Sequence, residues 1–195
     1  ILFDRDFKDQ NYQDVVAKLT AYQKEAKVPL LIGVDEEGGT VNRVSTYFRE
    51  VPFWSPQDLY QEGGMPLIIS DTKEKAELLK GMGINVNLAP VADVSTHTED
   101  FIYARSFGKN AQETANYVKT VVHTMKKNHI GSCLKHFPGY GNNVDTHTGI
   151  AIDKRSMETF ENSDFIPFSA GIQAGADSVL VSHNIVKCMD AKHPA

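Results

Sequence analysis

The sequence predicts an α/β fold with a parallel sheet lying under helices. Three observations predict it. Five short apolar runs alternate with four helical segments, the runs are mostly apolar throughout instead of alternating with polar residues, and each is followed by side chains able to do chemistry. Continuous apolar runs suit strands buried on both faces, and their alternation with helices is the βαβ pattern. Two architectures fit, an open doubly wound sheet and a TIM barrel. A complete (β/α)8 barrel takes about 250 residues in eight units, so 195 residues with about five βα units correspond to roughly five-eighths of one.

The elements follow in order. Ile1-Leu2-Phe3 reads as a buried strand that stops at Asp4-Arg5, and an apolar start without methionine carries the expectation of further residues upstream. Tyr12, Val15, Val16, Leu19, Tyr22 and Ala26 recur at helical spacing. Val28 to Val34 is a second apolar run, ending at Asp35. Residues 36–69 read as irregular because Gly38-Gly39, Pro52, Pro56, Gly63-Gly64 and Pro66 punctuate them. Ser70 or Asp71 can cap a helix reaching Lys80. Ile84 to Ala89 is the third strand, and Asn110 caps a helix carrying Ala115, Val118, Val122 and Met125. Gly131 to Leu134 is the fourth strand, Pro167 to Ala174 a helix, and Ser178 to Val181 the fifth strand. With no tandem repeat or linker, residues 1–195 are expected to form one domain.

Composition narrows the function. Hydrophobic residues make up 41% and charged residues 23%, with a mean hydropathy of −0.32, which suits a packed globular chain. No apolar run approaches the roughly 20 residues of a membrane span. A net charge of −5, from 20 basic and 25 acidic residues, argues against a nucleic-acid partner. Two cysteines, Cys133 and Cys188, form neither a disulfide framework nor a zinc set, and no cofactor or metal is expected.

In a parallel α/β fold the carboxyl ends of the strands share one rim, where ligands bind. Asp4-Arg5, Asp35-Glu36-Glu37, Asp93, Lys135-His136 and Ser182-His183 all fall there. Polar loop starts are also ordinary, so the convergence of five groups carries the inference, not any one of them. Phe137 to about Ser156 is a long glycine- and asparagine-rich loop, and loops longer than about 12–15 residues are usually functional or disordered. Within it, Asp145 and His147 have the spacing of a proton-transfer dyad, because a carboxylate on one imidazole nitrogen raises the basicity of the other. The same pair also fits two ligands of a metal, or two solvated side chains. Gly139-Tyr140-Gly141 lacks the third glycine of a dinucleotide fingerprint. Lys135 at a strand end leaves Schiff-base chemistry open.

Together these residues resemble a known family. Lys135-His136-Phe137-Pro138-Gly139-Tyr140-Gly141, followed by Asp145-Thr146-His147, is similar to the Lys-His-Phe-Pro-Gly-His-Gly…Asp-Ser-His signature of family 3 glycoside hydrolases of the β-N-acetylhexosaminidase branch. Val34-Asp35-Glu36-Glu37-Gly38-Gly39 with Arg43 is similar to its Asp-Gln-Glu-Gly-Gly…Arg motif. Asn87 to Val94, followed by Ala104-Arg105-Ser106-Phe107, is similar to its Ala-Pro-Val-x-Asp-Val…Arg-Ser-Tyr/Phe segment. The matches run in family order over nearly the whole chain.

The resemblance implies an incomplete (β/α)8 TIM barrel and retaining hydrolysis of terminal β-linked N-acetylglucosamine in peptidoglycan or chitin-type oligosaccharides. It implies that Asp35, Arg43, Arg105, Lys135 and His136 line the sugar pocket, with His147 as general acid/base oriented by Asp145. A salt bridge from Arg43 or Arg105 to Asp35 or Asp93 that merely braces the rim is the competing reading of the arginines. Tyr140 and Thr146 replace a histidine and a serine of the family pattern, and both keep a polar group. The family's aspartate nucleophile is expected beyond residue 195, since Asp153, Asp177 and Asp190 do not stand at a matching position. Residues 1–195 alone are therefore expected to be inactive, with unpaired barrel edges available for association. A non-catalytic carbohydrate-binding fragment and a phosphorylase of the same family are the alternatives. Compartment stays open between cytoplasm and a secreted or envelope location of a bacterial-type protein.

Overall fold

The computed structural model describes residues 1–145, 149 and 151–195. His147, with Thr146, Thr148 and Ile150, lies outside the described residues.

A parallel sheet runs through the molecule in the order β1 (Gly33–Val34), β4 (Val86–Asn87), β5 (Gly131–Phe137) and β7 (Ser178–Val181). Leu2 extends it by a parallel bridge to Val34. Each strand pairs in parallel with the next one of this sheet along the chain. A doubly wound sheet reverses its order at a switch point; among the described residues this one does not, which selects the barrel over the open sheet. The architecture is that of an incomplete (β/α)8 barrel.

Two helices start on asparagine caps, of which Asn110 is the one expected, while Ser70 and Asp71 lie inside a longer helix instead of capping one. Asn11 accepts from the backbone N–H of Asp14 at 2.9 Å to start α1 (Tyr12–Glu25). Asn110 accepts from Glu113 at 3.0 Å to start α4 (Ala111–Lys127), which buries Ala115, Val118, Val122 and Met125 as its spacing predicts. α3 spans Pro56–Gly81, with Ser55 as its cap and a break at Gly64, where φ is 62°. The first half of this helix is a correction to the irregular reading of residues 36–69. Gly63-Gly64 and Pro66 do interrupt it, but Pro66 opens the second half, where a proline costs no internal bond. The same stretch also forms β2 (Glu36–Gly38), antiparallel to β3 (Val41–Asn42), and the one-turn helix α2 (Ser45–Phe48).

The second apolar run is also shorter as a strand than expected. Only Gly33 and Val34 pair, while Val28 and Leu31 are exposed. Side chains replace the ladder before them: Gln23 bonds both backbone groups of Leu30, and the Asn85 amide bonds Leu30 O and Ile32 N. After β5, a short pair joins β6 (Ile152–Asp153) to β8 (Ile185–Val186). Between them α5 (Met157–Thr159) continues through a π-helical turn at Phe160–Asp164 into α6 (Phe165–Gln173).

The core lies between the sheet and α1, α3, α4 and α6. Phe107 stacks on Tyr117 at 4.6 Å, and Leu134, Val118 and Phe168 are buried together. Each fully buried Leu, Val or Phe contributes about 1.5–3 kcal/mol. On β7, by contrast, Val179 and Val181 remain 38% and 44% exposed. Among the described residues no helix is long and apolar enough to cross a membrane.

Candidate active site

The carboxyl ends of β1, β4 and β5 bring four of the sequence-predicted residues into one cluster. Lys135, near the end of β5, is 2% exposed, and its ammonium donates to Asp35 Oδ1 at 2.6 Å and to Glu37 Oε1 at 2.5 Å. Arg105, on the turn that follows β4, forks onto Glu37: Nε to Oε2 at 3.0 Å and Nη2 to Oε1 at 2.7 Å. A planar guanidinium and a carboxylate match in this two-point geometry. The same Nη2 lies 3.2 Å from His136 Nε2, and His136 Nδ1 lies 2.8 Å from Asp93 Oδ2. Asp93 has no proton to give in ionised form, so Nδ1 donates to it and Nε2 accepts from Arg105.

Glu37 is the residue the sequence reading left out of the pocket, although it stands two residues after Asp35 in the Asp-Glu-Glu-Gly-Gly segment. It is 6% exposed and joins both cations. Burial alone would raise its carboxyl, but Lys135 and Arg105 outweigh burial and hold it down to about 2. Burial in turn works against the Arg105 charge, and the bonds and field of Glu37 more than restore it. From behind, Lys75 donates to the Glu37 carbonyl at 3.1 Å while pairing with Asp71 at 2.5 Å.

Two further carboxylates shape the backbone. Glu36 accepts the N–H groups of Arg43, Val44 and Ser45 at 2.8, 2.7 and 3.1 Å, which ties the β2–β3 hairpin to the start of α2. Asp93 accepts from the backbone N–H of His136 at 3.0 Å and of Tyr140 at 2.7 Å, so one side chain orients the imidazole and anchors the loop after β5. Tyr140, standing where the family has histidine, is buried edge-on against His136 at 5.1 Å.

Arg43 is held apart from that chain of charges. It pairs with Asp4 at 3.1 Å, half-exposed on the rim after Leu2. Neither arginine makes the bridge to Asp35 or Asp93 of the competing reading: among the described residues the partners are Glu37 for Arg105 and Asp4 for Arg43. Asp145 is described, whereas its expected dyad partner His147 is not. Lys135 Nζ donates to two carboxylates, Asp35 and Glu37, so both contacts would have to be given up for Schiff-base chemistry at this amine. Arg155, which no sequence motif singled out, joins Asp153 and Asp164 at 2.8 and 2.9 Å just behind the loop.

The cluster sits in a chain whose residues 1–195 match the family model described as Glycosyl hydrolase family 3 N terminal domain. The chain belongs to glycosyl hydrolase family 3. Curated relatives of this family 3 chain include a Beta-hexosaminidase of Xylella fastidiosa (strain M23), 34% identical over 188 residues that cover 94% of the chain and 55% of the relative. A Beta-hexosaminidase of Xanthomonas campestris pv. campestris (strain B100) is 34% identical over 201 residues, covering 100% of the chain and 59% of the relative. The family 3 chain thus spans little more than half the length of these relatives.

Solved structures agree on the fold. A glycoside hydrolase family 3 beta-N-acetylglucosaminidase from Paenibacillus sp. str. FPU-7 superposes with a TM-score of 0.89 at 26% identity, covering 99% of the family 3 chain and 37% of that one. NagZ from Neisseria gonorrhoeae, solved in complex with N-trifluoroacetyl-D-glucosamine, gives 0.86 at 26% identity, covering 98% and 58%.

Proposed function

We propose that the protein containing residues 1–195 is a retaining glycoside hydrolase that removes terminal β-linked N-acetylglucosamine. The observation that carries this reading is the unbroken chain Asp35–Lys135–Glu37–Arg105–His136–Asp93 at the carboxyl rim. A terminal sugar presents a ring of hydroxyls that both donate and accept. A row of carboxylates and cations, each fixed by its neighbour, offers charge-assisted partners of both kinds. The names of the family relatives add the acetamido sugar.

The chemistry needs two steps. A carboxylate nucleophile, supplied by residues outside 1–195, attacks the anomeric carbon while His147, protonated, gives its proton to the leaving oxygen. A glycosyl-enzyme ester forms and the aglycone departs as an alcohol. His147, now neutral and oriented by Asp145, takes a proton from water as that water attacks the same carbon, which releases the sugar with its configuration retained. Residues 1–195 would then contain the sugar-holding rim and the acid/base, and would bind without turnover by themselves.

The test uses the full-length protein. His147→Ala is expected to slow methyl β-N-acetylglucosaminide by about 10²–10⁴-fold, the usual contribution of general acid catalysis. A 4-nitrophenyl glycoside, whose leaving group needs no proton, should lose far less in the first step. Equal losses in kcat/KM, which reports the first step alone, on both substrates would remove His147 from the acid role. Phosphate decides between the two fates of the intermediate: free sugar in its presence means hydrolysis, and sugar 1-phosphate means phosphorolysis.

A further inference from the structure

The loop between β5 and β6 leaves the four-stranded sheet at Phe137 and ends at Ile152 in the separate β6–β8 pair, and its two ends are held by one side chain. Arg155 Nη2 donates to the carbonyl of Gly139 at 2.8 Å, on the outgoing end. On the returning end, Nε and Nη2 meet the Asp153 carboxylate at 3.0 and 2.8 Å, while the Arg155 backbone N–H donates to Asp153 Oδ1 at 2.9 Å. Nη1 forks onto Asp164 at 2.9 and 3.0 Å, at the end of the π-helical turn. The guanidinium also lies over the Phe160 ring at 4.4 Å. All three of its nitrogens are used, and both carboxylates are almost wholly buried.

The surroundings are shaped for this contact. A Cβ on Gly139 would stand 2.2 Å from Asp164 Oδ1, and one on Gly141 would stand 2.4 Å from Arg155 Nη1, both at positive φ. At the two glycines of the Pro-Gly-Tyr-Gly segment the chain therefore passes the Arg155–Asp164 pair too closely for a side chain, which gives that spacing a reason apart from the sugar. Asn143 adds a second tie, donating to Asp153 Oδ2 at 2.6 Å and to Tyr140 O at 2.8 Å. Asp153 is fixed in turn by the β6–β8 pair, where Lys187 N–H donates to its carbonyl at 3.0 Å.

We propose that Arg155 is a positioning residue that clamps the base of the β5–β6 loop, the segment whose sequence carries Asp145 and His147, and that proton transfer by that dyad depends on the clamp. The inference rests on the acid/base reading of that dyad given above. Arg155 touches neither the sugar-holding cations nor Asp93. Its loss should leave sugar affinity alone and impair proton transfer, because a misplacement of about 1 Å is enough to cost roughly 100-fold in rate.

The experiment compares full-length wild type, Arg155→Met, His147→Ala and the double variant on methyl and 4-nitrophenyl β-N-acetylglucosaminides, with the inhibition constant of N-acetylglucosamine as a binding control. The expected result for Arg155→Met is a kcat on the methyl glycoside lowered by about 10- to 100-fold. The 4-nitrophenyl kcat/KM, which reports the first step alone, should fall much less, sugar affinity should stay within two-fold, and the double variant should be no slower than His147→Ala. Equal losses on both glycosides, or losses that multiply in the double variant, would make Arg155 a general structural brace and overturn the proposal. Asn143→Ala, which removes only the second tie, should show the same pattern more weakly even where Arg155→Met folds poorly; wild-type rates in Asn143→Ala together with an unfolded Arg155→Met would also overturn it. If wild type turns over neither glycoside, the reading of the dyad fails, and hydrogen exchange judges the clamp by itself: faster exchange at the amides of Tyr140 to Asp145 in Arg155→Met supports it, and unchanged exchange overturns it.

Discussion

Glu37 and Asp164 are both nearly inaccessible carboxylates beside an arginine, and their acidities move in opposite directions. Lys135 and Arg105 together overcome burial at Glu37, so its stabilising contribution is complete above about pH 4.5 and is lost as pH falls toward 2. At Asp164 burial dominates, Arg155 only partly opposes it, and the carboxyl is pushed up to about 6. The folded protein then holds a proton that the unfolded chain has released, so stability contributed by Asp164 is greatest below about pH 4 and falls as pH rises to about 6. At about 1.4 kcal/mol per unit, that fall is about 3 kcal/mol. Denaturant titrations at pH 4, 5 and 6 should show it, and Asp164→Asn should flatten it; an unchanged slope in the variant would refute the assignment. For Glu37→Gln the expectation is a loss of about 3–5 kcal/mol, since Lys135 and Arg105 lose a buried counter-charge. Urea midpoints measure it. Of these residues, Asp35, Lys135, Arg105 and His136 were readable from motifs. Glu37 was hidden by standing beside them in the same motif, and Arg155 by having no motif at all: its role comes from Gly139, Asp153 and Asp164 meeting only in the folded chain.

α6 meets the sheet at Gly171, where an added Cβ would lie 2.7 Å from both Leu134 methyl carbons and 2.9 Å from Val118 Cγ1. Alanine is normally favoured over glycine in a helix by about 1 kcal/mol. Here overpacking should reverse the sign, and Gly171→Ala should destabilise by about 1–3 kcal/mol in the same titrations. No such prediction was available from the sequence, where Gly171 is one glycine in a helical window. Of the two capping signals, Asn110 does stand where α4 begins, whereas Ser70 and Asp71 lie inside α3, which is capped by Ser55. The first half of α3 was missed because Gly63-Gly64-Met65-Pro66 reads as a loop, whereas the local cost of that break is offset by burying Leu59 on one side and Ile68 on the other. The run from Val28 to Ile32 misled in the opposite way, being apolar yet bonded by Gln23 and Asn85 side chains.

The sheet ends, among the described residues, at β7, with Val179 and Val181 part-exposed on a strand paired on one side only. An unpaired edge with apolar side chains invites association. Residues 1–195 prepared by themselves are therefore expected to sediment as concentration-dependent oligomers, and a monodisperse 21.6 kDa monomer with cooperative melting would contradict this. Barrel architecture was within reach of the sequence through the order of its motifs; the sequential parallel pairing that separates it from a doubly wound sheet needed the strands in place. On the proposed function, the rim from Asp35 to Asp93 holds a terminal N-acetylglucosamine for hydrolysis. Its most direct test is the rate at which the full-length protein, wild type and Asp35→Ala, releases 4-nitrophenol from the β-N-acetylglucosaminide. Wild type is expected to turn over, with kcat/KM about 10- to 100-fold lower in Asp35→Ala, the value of one charge-assisted bond to a hydroxyl. A wild type inert toward this substrate, or a variant as fast as wild type, would contradict it.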